Sequence, residues 1–234
     1  MTKSAVRNLA IAACLLGGLG VGLAAKSTIK ATKPLANKSV RPTSPTESSA
    51  ASTTGYKVGD AIANFTLLNV DNKKVSLAEY ANAKGAIVVF TCNHCPFSQA
   101  YEGRIMTLDA KYAPKGYPVI AINPNDPGLQ PDDSFAEMQK RAKERGYSFP
   151  YLLDDGQATA KAFGAKKTPQ VYVVSKAKSG YTLSYMGAID DNSNEPDKVS
   201  TKYTEAALEA LLAGRQPSPN TTVAVGCSIK WKQL

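Results

Sequence analysis

The segment Cys92-Asn93-His94-Cys95-Pro96 constrains this chain more than any other feature. It follows directly on Ala86-Ile87-Val88-Val89-Phe90, a continuous apolar run of the kind that forms a strand buried on both faces. After it, Phe97, Tyr101, Ile105, Leu108 and Tyr112 recur at helical spacing. The two cysteines are therefore expected at a strand-to-helix corner. Unpaired N–H groups and the positive end of a helix stabilise an anion, so a cysteine there should ionise readily. Two intervening residues let the sulfurs approach each other and form a reversible disulfide. Pro96 is tolerated because the first helical turn has no amide hydrogen bond to lose.

His94 is the one histidine of the chain. An imidazole beside a thiolate favours the reduced form of the pair; the alternative reading is a surface residue in a turn. Asn93 completes the candidate catalytic set with Cys92, His94 and Cys95. The same spacing could instead hold zinc or copper. No second Cys/His cluster supplies the remaining ligands, so neither a metal nor another cofactor is expected. Cys227, near the single Trp231, is a candidate third thiol able to reach Cys92 or Cys95, or else a small buried hydrophobe.

The rest of the pattern alternates strands and helices. Phe65–Leu68 and Lys74–Leu77 flank Asp71-Asn72 and predict a hairpin. Strands are expected at Pro118–Ile122, Tyr151–Leu153, Val171–Val174 and Tyr181–Met186. Helices are expected around Phe135–Ala142, capped by Asp133 or Ser134, and at Ala158–Phe163 and Tyr203–Ala213. This alternation argues an α/β fold, a central sheet with helices on both faces. The run Asp190–Glu195 is like a calcium loop in composition alone, and reads as a solvated loop.

Thr168-Pro169 stands directly before the strand Val171–Val174. Together with the Cys pair it resembles the thioredoxin superfamily. That resemblance implies a central mixed sheet with an N-terminal hairpin extension, a cis peptide at Pro169, and a backbone at Thr168 that pairs with an incoming thiol substrate. The extra passage 117–163 resembles the peroxiredoxin-like branch, the alkyl hydroperoxide reductase/thiol-specific antioxidant group. So do Tyr117–Asn123, Phe149–Asp155 and Gly187–Asp191. The segments Phe90–Phe97 and Gly226–Trp231 look like one subfamily of it.

Peroxiredoxins carry Pro-x-x-x-Thr-x-x-Cys around the peroxide-reactive cysteine. Counted back from Cys95, those places hold Val88 and Cys92; counted back from Cys92, they hold Gly85 and Val89. The strand 86–90 also lacks the acid that thioredoxins bury beneath the pair. The main expectation is a thiol–disulfide oxidoreductase in which Cys92 attacks a partner disulfide and Cys95 resolves the mixed disulfide. The alternatives are a thiol-dependent peroxidase and a non-catalytic copper or zinc carrier. The expected partners are thiol or disulfide proteins and an electron donor.

A net charge of +9 suggests nucleic acid until it is partitioned. Residues 1–55 carry seven Lys/Arg against one acid, and residues 56–234 carry 21 against 18, so the excess sits outside the expected domain and no nucleic-acid partner is predicted. Residues 1–25 read as a signal peptide or N-terminal anchor: Lys3 and Arg7 precede the apolar stretch Leu9–Ala25, with a cleavage site after Ala24. Ile11–Cys14 is like a lipobox, and Lys26, Lys30 and Lys33 after the run oppose translocation. Residues 26–55 are rich in Ser, Thr, Lys and Pro and predict a flexible tether. The domain is expected over 56–234, exported and periplasmic or tethered to the membrane.

Overall fold

A computed structural model describes residues 55–233; the leader and, apart from Gly55, the linker lie outside the described residues. The elements in chain order are β1 (Ala61–Ile62), β2 (Thr66–Asn69), β3 (Lys74–Ser76), β4 (Gly85–Phe90), α1 (Pro96–Tyr112), β5 (Val119–Asn123) and α2 (Phe135–Arg145). They continue with β6 (Tyr151–Leu153), α3 (Ala158–Phe163), β7 (Lys167–Thr168), β8 (Gln170–Lys176), β9 (Tyr181–Gly187), α4 (Tyr203–Leu212) and β10 (Cys227–Ser228). Eight strands form one sheet in the order β1-β9-β8-β4-β5-β6-β2-β3, and β10 pairs separately with β7.

The sheet is mixed. β4 runs parallel to β5, and β5 to β6, whereas β8 lies antiparallel to β4. The hairpin of β2 and β3 attaches through β2 to β6 at one edge, and β1 closes the other against β9. β4 explains the layering. Its side chains alternate between faces, and every one of its residues is buried. Ile87 and Val89 pack under α1, α2 and α4 with Ile105, Met138 and Leu208. Ala86, Val88 and Phe90 pack on the other face with Ala160 and Phe163 of α3. There Phe163 meets Phe90 and Tyr172 edge to face, at 5.5 and 5.1 Å between ring centroids. The central strand is thus covered on both sides, as its unbroken apolar run requires, and the architecture is α/β with helices on both faces.

One charged segment departs from expectation, and a second buries an acid. Asp190 is not solvated: it is buried and accepts from the Tyr101 hydroxyl at 2.8 Å and from Arg104 at 2.7 Å. On α2, Arg141 and Arg145 reach the buried carboxylate of Glu102 on α1 at 2.7 and 2.9 Å. These two side chains neutralise a buried acid.

Candidate active site

Pro96 occupies the first turn of α1 and Cys95 is its N-cap, with extended backbone. The loop 91–94 consequently turns off the end of β4 at the middle of the sheet. The Thr168–Pro169 peptide is cis, as the resemblance implies. It faces this corner: the Cys92 sulfur lies 3.3 Å from the Thr168 hydroxyl, and the Cys95 sulfur lies 3.2 Å from the Thr168 carbonyl oxygen. Asn93, His94 and the two cysteines are thereby brought together with Thr168 and Pro169.

The disulfide differs from the expected one. Cys95 is bonded to Cys227, and Cys92 is a free, buried thiol. The cause is the tail. β10 runs antiparallel to β7 with Cys227 opposite Thr168, which places the Cys227 sulfur over the corner. Cys227 is half-buried rather than a core hydrophobe. Its role was open in the sequence because 132 residues separate it from Cys95 and only the fold closes that gap.

The electrostatics of Cys92 also reverse an expectation. Burial pushes its pKa above the ordinary thiol value, and the negative charge of Asp133 pushes in the same direction. Hydrogen bonds from Thr168, the Cys95 backbone N–H and Ser98 pull it down without overcoming those effects. The helix end serves Cys95, its cap, more directly than Cys92.

Asp133 is the residue that sequence reasoning assigned elsewhere. It does not cap α2, whose N-cap is Ser134 without a side-chain bond. Its fully buried carboxylate instead accepts from the backbone N–H of Asn93 at 2.7 Å and of His94 at 3.2 Å. It also takes the Asn125 amide at 2.7 Å and stands 2.5 Å from His94 Nδ1. A carboxylate only accepts, so Nδ1 carries the hydrogen and donates it to Asp133. Asn93 is held too: its amide donates to the Asp132 carbonyl at 2.8 Å, and its oxygen accepts from the Tyr151 hydroxyl at 3.0 Å. The buried acid that β4 lacks is thus supplied by a short turn, Pro131–Asp133, in the segment between β5 and α2. An acid directly before a serine at a helix start looks like a cap, and nothing local in the sequence marks it otherwise.

Cys92, His94 and Asp133 present one donor atom each within 4.8 Å of one another, a set able to approach a metal ion. The Asp133 oxygens already take four hydrogens, and His94 Nδ1 spends its proton on one of them. A cation there would displace bonds that hold the loop, so the set fits a hydrogen-bonded scaffold better than a metal cage.

Known proteins similar to this chain agree with the fold. A protein of Geobacillus kaustophilus, described as an uncharacterized conserved protein, is 38% identical in crystal form, with TM-score 0.68 over 75% of this chain and 93% of that one. A hypothetical protein of Sinorhizobium meliloti is 31% identical, with TM-score 0.70 over 76% of this chain and 96% of that one. The peroxidoxin BcpB of Mycobacterium tuberculosis, at 18% identity and TM-score 0.51 over 68% of this chain and 99% of that one, shares the fold alone. The thiol-disulfide oxidoreductase ResA of Halalkalibacterium halodurans is 25% identical over 120 residues, 51% of this chain. The alignment spans 64% of that relative's length, a little under two thirds. The profile of the AhpC/TSA family matches residues 58–179, which run from before β1 through β4, the cysteine corner and the cis proline to just past the end of β8. On that match over half of its length, the chain belongs to the AhpC/TSA family.

Proposed function

We propose that this protein is a thiol–disulfide oxidoreductase that works through Cys92, Cys95 and Cys227 on disulfides of partner proteins. One observation carries the reading: three sulfurs converge on Thr168, two as direct contacts and the third through strand pairing. In the fully reduced chain the Cys92 thiolate attacks a partner disulfide, forming a mixed disulfide and expelling one partner thiolate. The Cys95 thiolate then attacks the Cys92 sulfur, releases the second partner thiolate and leaves Cys92–Cys95. The Cys227 thiolate next attacks Cys95, giving Cys95–Cys227 and freeing Cys92. Two electrons pass from the chain to the partner, and a dithiol donor must return them. The bonding seen in the structure is the last state of that sequence.

Thr168 supplies the hydroxyl beside Cys92 and Asp133 holds the loop through Asn93 and His94. The motif Cys92-Asn93-His94-Cys95-Pro96 supports assignment to a peroxiredoxin-like branch, and residues 1–25 support a location outside the cytoplasm or at a membrane surface. Among the described residues no helix is long and apolar enough to cross a membrane. The test is trapping. Cys95→Ser should accumulate mixed disulfides on Cys92, and the intact reduced chain should reduce insulin-type disulfides without added metal. Trapping by Cys92→Ser alone would reverse the two roles; peroxide turnover without disulfide reduction would replace the reading by a peroxidase.

A further inference from the structure

The segment Gly226–Lys232 lies extended along the corner and is gripped throughout. Cys227 and Ser228 pair with Thr168 and Lys167. Gly226 passes so close that a Cβ there would stand 2.3 Å from the Thr168 carbonyl oxygen. Ile229 is buried in the core cluster that holds Phe90 and Phe163. The Lys230 N–H donates to the Asn125 side-chain oxygen at 2.9 Å, and the Lys230 carbonyl accepts from the Asp126 N–H at 2.9 Å. Gln157 closes the grip. Its amide donates to the Lys230 carbonyl at 2.8 Å and its oxygen accepts the Lys232 N–H at 2.8 Å. It does so from a left-handed backbone at φ 56°, a conformation that costs a non-glycine residue free energy.

We propose that this tail is an intramolecular competitor for the strip where a partner's cysteine-bearing segment docks, and that the Cys95–Cys227 bond locks it there. The proposal rests on the thiol–disulfide reading above and adds to it the kind of partner and the control. The Thr168 backbone, the strand edge that lies against both the Cys92 and Cys95 sulfurs, is already paired with Cys227. The strip takes an extended chain by strand addition, with a glycine where the backbones touch, a cysteine opposite Thr168 and an aliphatic side chain two residues on. Reduction by a dithiol donor converts Cys95–Cys227 to two thiols, the donor becoming a disulfide. The tail then competes only by non-covalent contacts, and a partner segment of the same chemistry can replace it. When Cys227 re-forms its bond to Cys95, the tail evicts the reduced partner.

The test uses the full chain and a synthetic peptide, Val-Gly-Cys-Ser-Ile-Lys-Trp, whose thiol is activated as a mixed disulfide with thionitrobenzoate. Oxidised wild type and the double variant Cys95→Ser/Cys227→Ser both offer the Cys92 thiol and differ in whether the tail is covalently held. Thionitrobenzoate release, with the adduct mapped to Cys92 by mass, should be about tenfold or more faster for the double variant, because a tether raises the competitor's effective concentration. With that variant, a peptide with Asp in the Ile position should react about tenfold slower than the parent peptide, since burial of the aliphatic chain is lost. Equal rates for the two proteins, or equal rates for the two peptides, would overturn the proposal. Independently of any variant, reducing the wild-type chain should speed amide exchange at residues 226–232; unchanged exchange overturns it as well. The free dithiobis-nitrobenzoate reagent separates the two levels. No reaction at Cys92 in any form sinks the thiol-exchange reading itself, whereas reaction without peptide discrimination sinks only the role of the tail.

Discussion

Asp133 Oδ2 and His94 Nδ1 stand 2.5 Å apart, and the same ring nitrogen lies 3.6 Å from the Cys92 sulfur. A fully buried carboxylate thus organises one of the two residues that separate the cysteines in sequence, and its negative charge acts across space on the free thiol. The electrostatic setting of Cys92 is written in an element, Pro131–Asp133, that lies about forty residues away along the chain.

Asp133→Asn should lower the Cys92 pKa. Burial and the Asp133 charge both raise it in the native chain, so thiol predominates at neutral pH and alkylation accelerates only as pH climbs past the ordinary thiol value. Removing the charge leaves burial as the main upward push and shifts the alkylation profile to lower pH. The check is the rate of Cys92 alkylation against pH; an unmoved midpoint contradicts the assignment. The variant should also lose about 1–3 kcal/mol of stability, because the amide cannot accept all four hydrogens and leaves buried donors unpaired.

Thr168→Val should act in the opposite sense on the same thiol. The Thr168 hydroxyl hydrogen-bonds Cys92 and lowers its pKa, so losing it raises the pKa further. Alkylation at neutral pH should slow by about threefold to tenfold, the worth of one hydrogen bond. The valine keeps the volume, so urea denaturation should distinguish this from collapse of the corner.

Peptide mapping of the oxidised chain should recover Cys95 joined to Cys227 and leave Cys92 alkylatable. Reduction should cost about 2–4 kcal/mol of unfolding free energy, because the bond closes a long loop in the unfolded chain. Denaturant curves in the two redox states measure it. Recovery of Cys92–Cys95 as the stable product would mean that Cys227 does not complete the sequence.

Gly226→Ala should open the contact between β10 and β7. Its Cβ would meet the Thr168 carbonyl oxygen and carbon at 2.3 and 2.7 Å, and backbone atoms of a buried strand cannot step aside cheaply. A loss of about 1–3 kcal/mol and slower formation of Cys95–Cys227 on oxidation are expected. Quenched oxidation time courses and urea melts check the two halves separately.

Much of this protein is legible in the residues alone, because the features concerned are local. The apolar run 86–90, the helical spacing of Tyr101, Ile105 and Leu108, and the alternation that follows each reflect a period of the backbone itself. They fix the strand-to-helix corner with Cys92 and Cys95 at its turn, and Thr168-Pro169 is a local signal too. What the tertiary structure decided is which distant groups meet there. Asp133 looks like a helix cap until β5 and the turn after it bring its carboxylate under the His94 loop. Cys227 reads as either a third thiol or a small hydrophobe until β10 finds β7, and Cys92 looks easily ionised until burial and Asp133 surround it. Pairing of sulfurs and tuning of charge depend on separations in space, and a chain specifies those only once its sheet has closed.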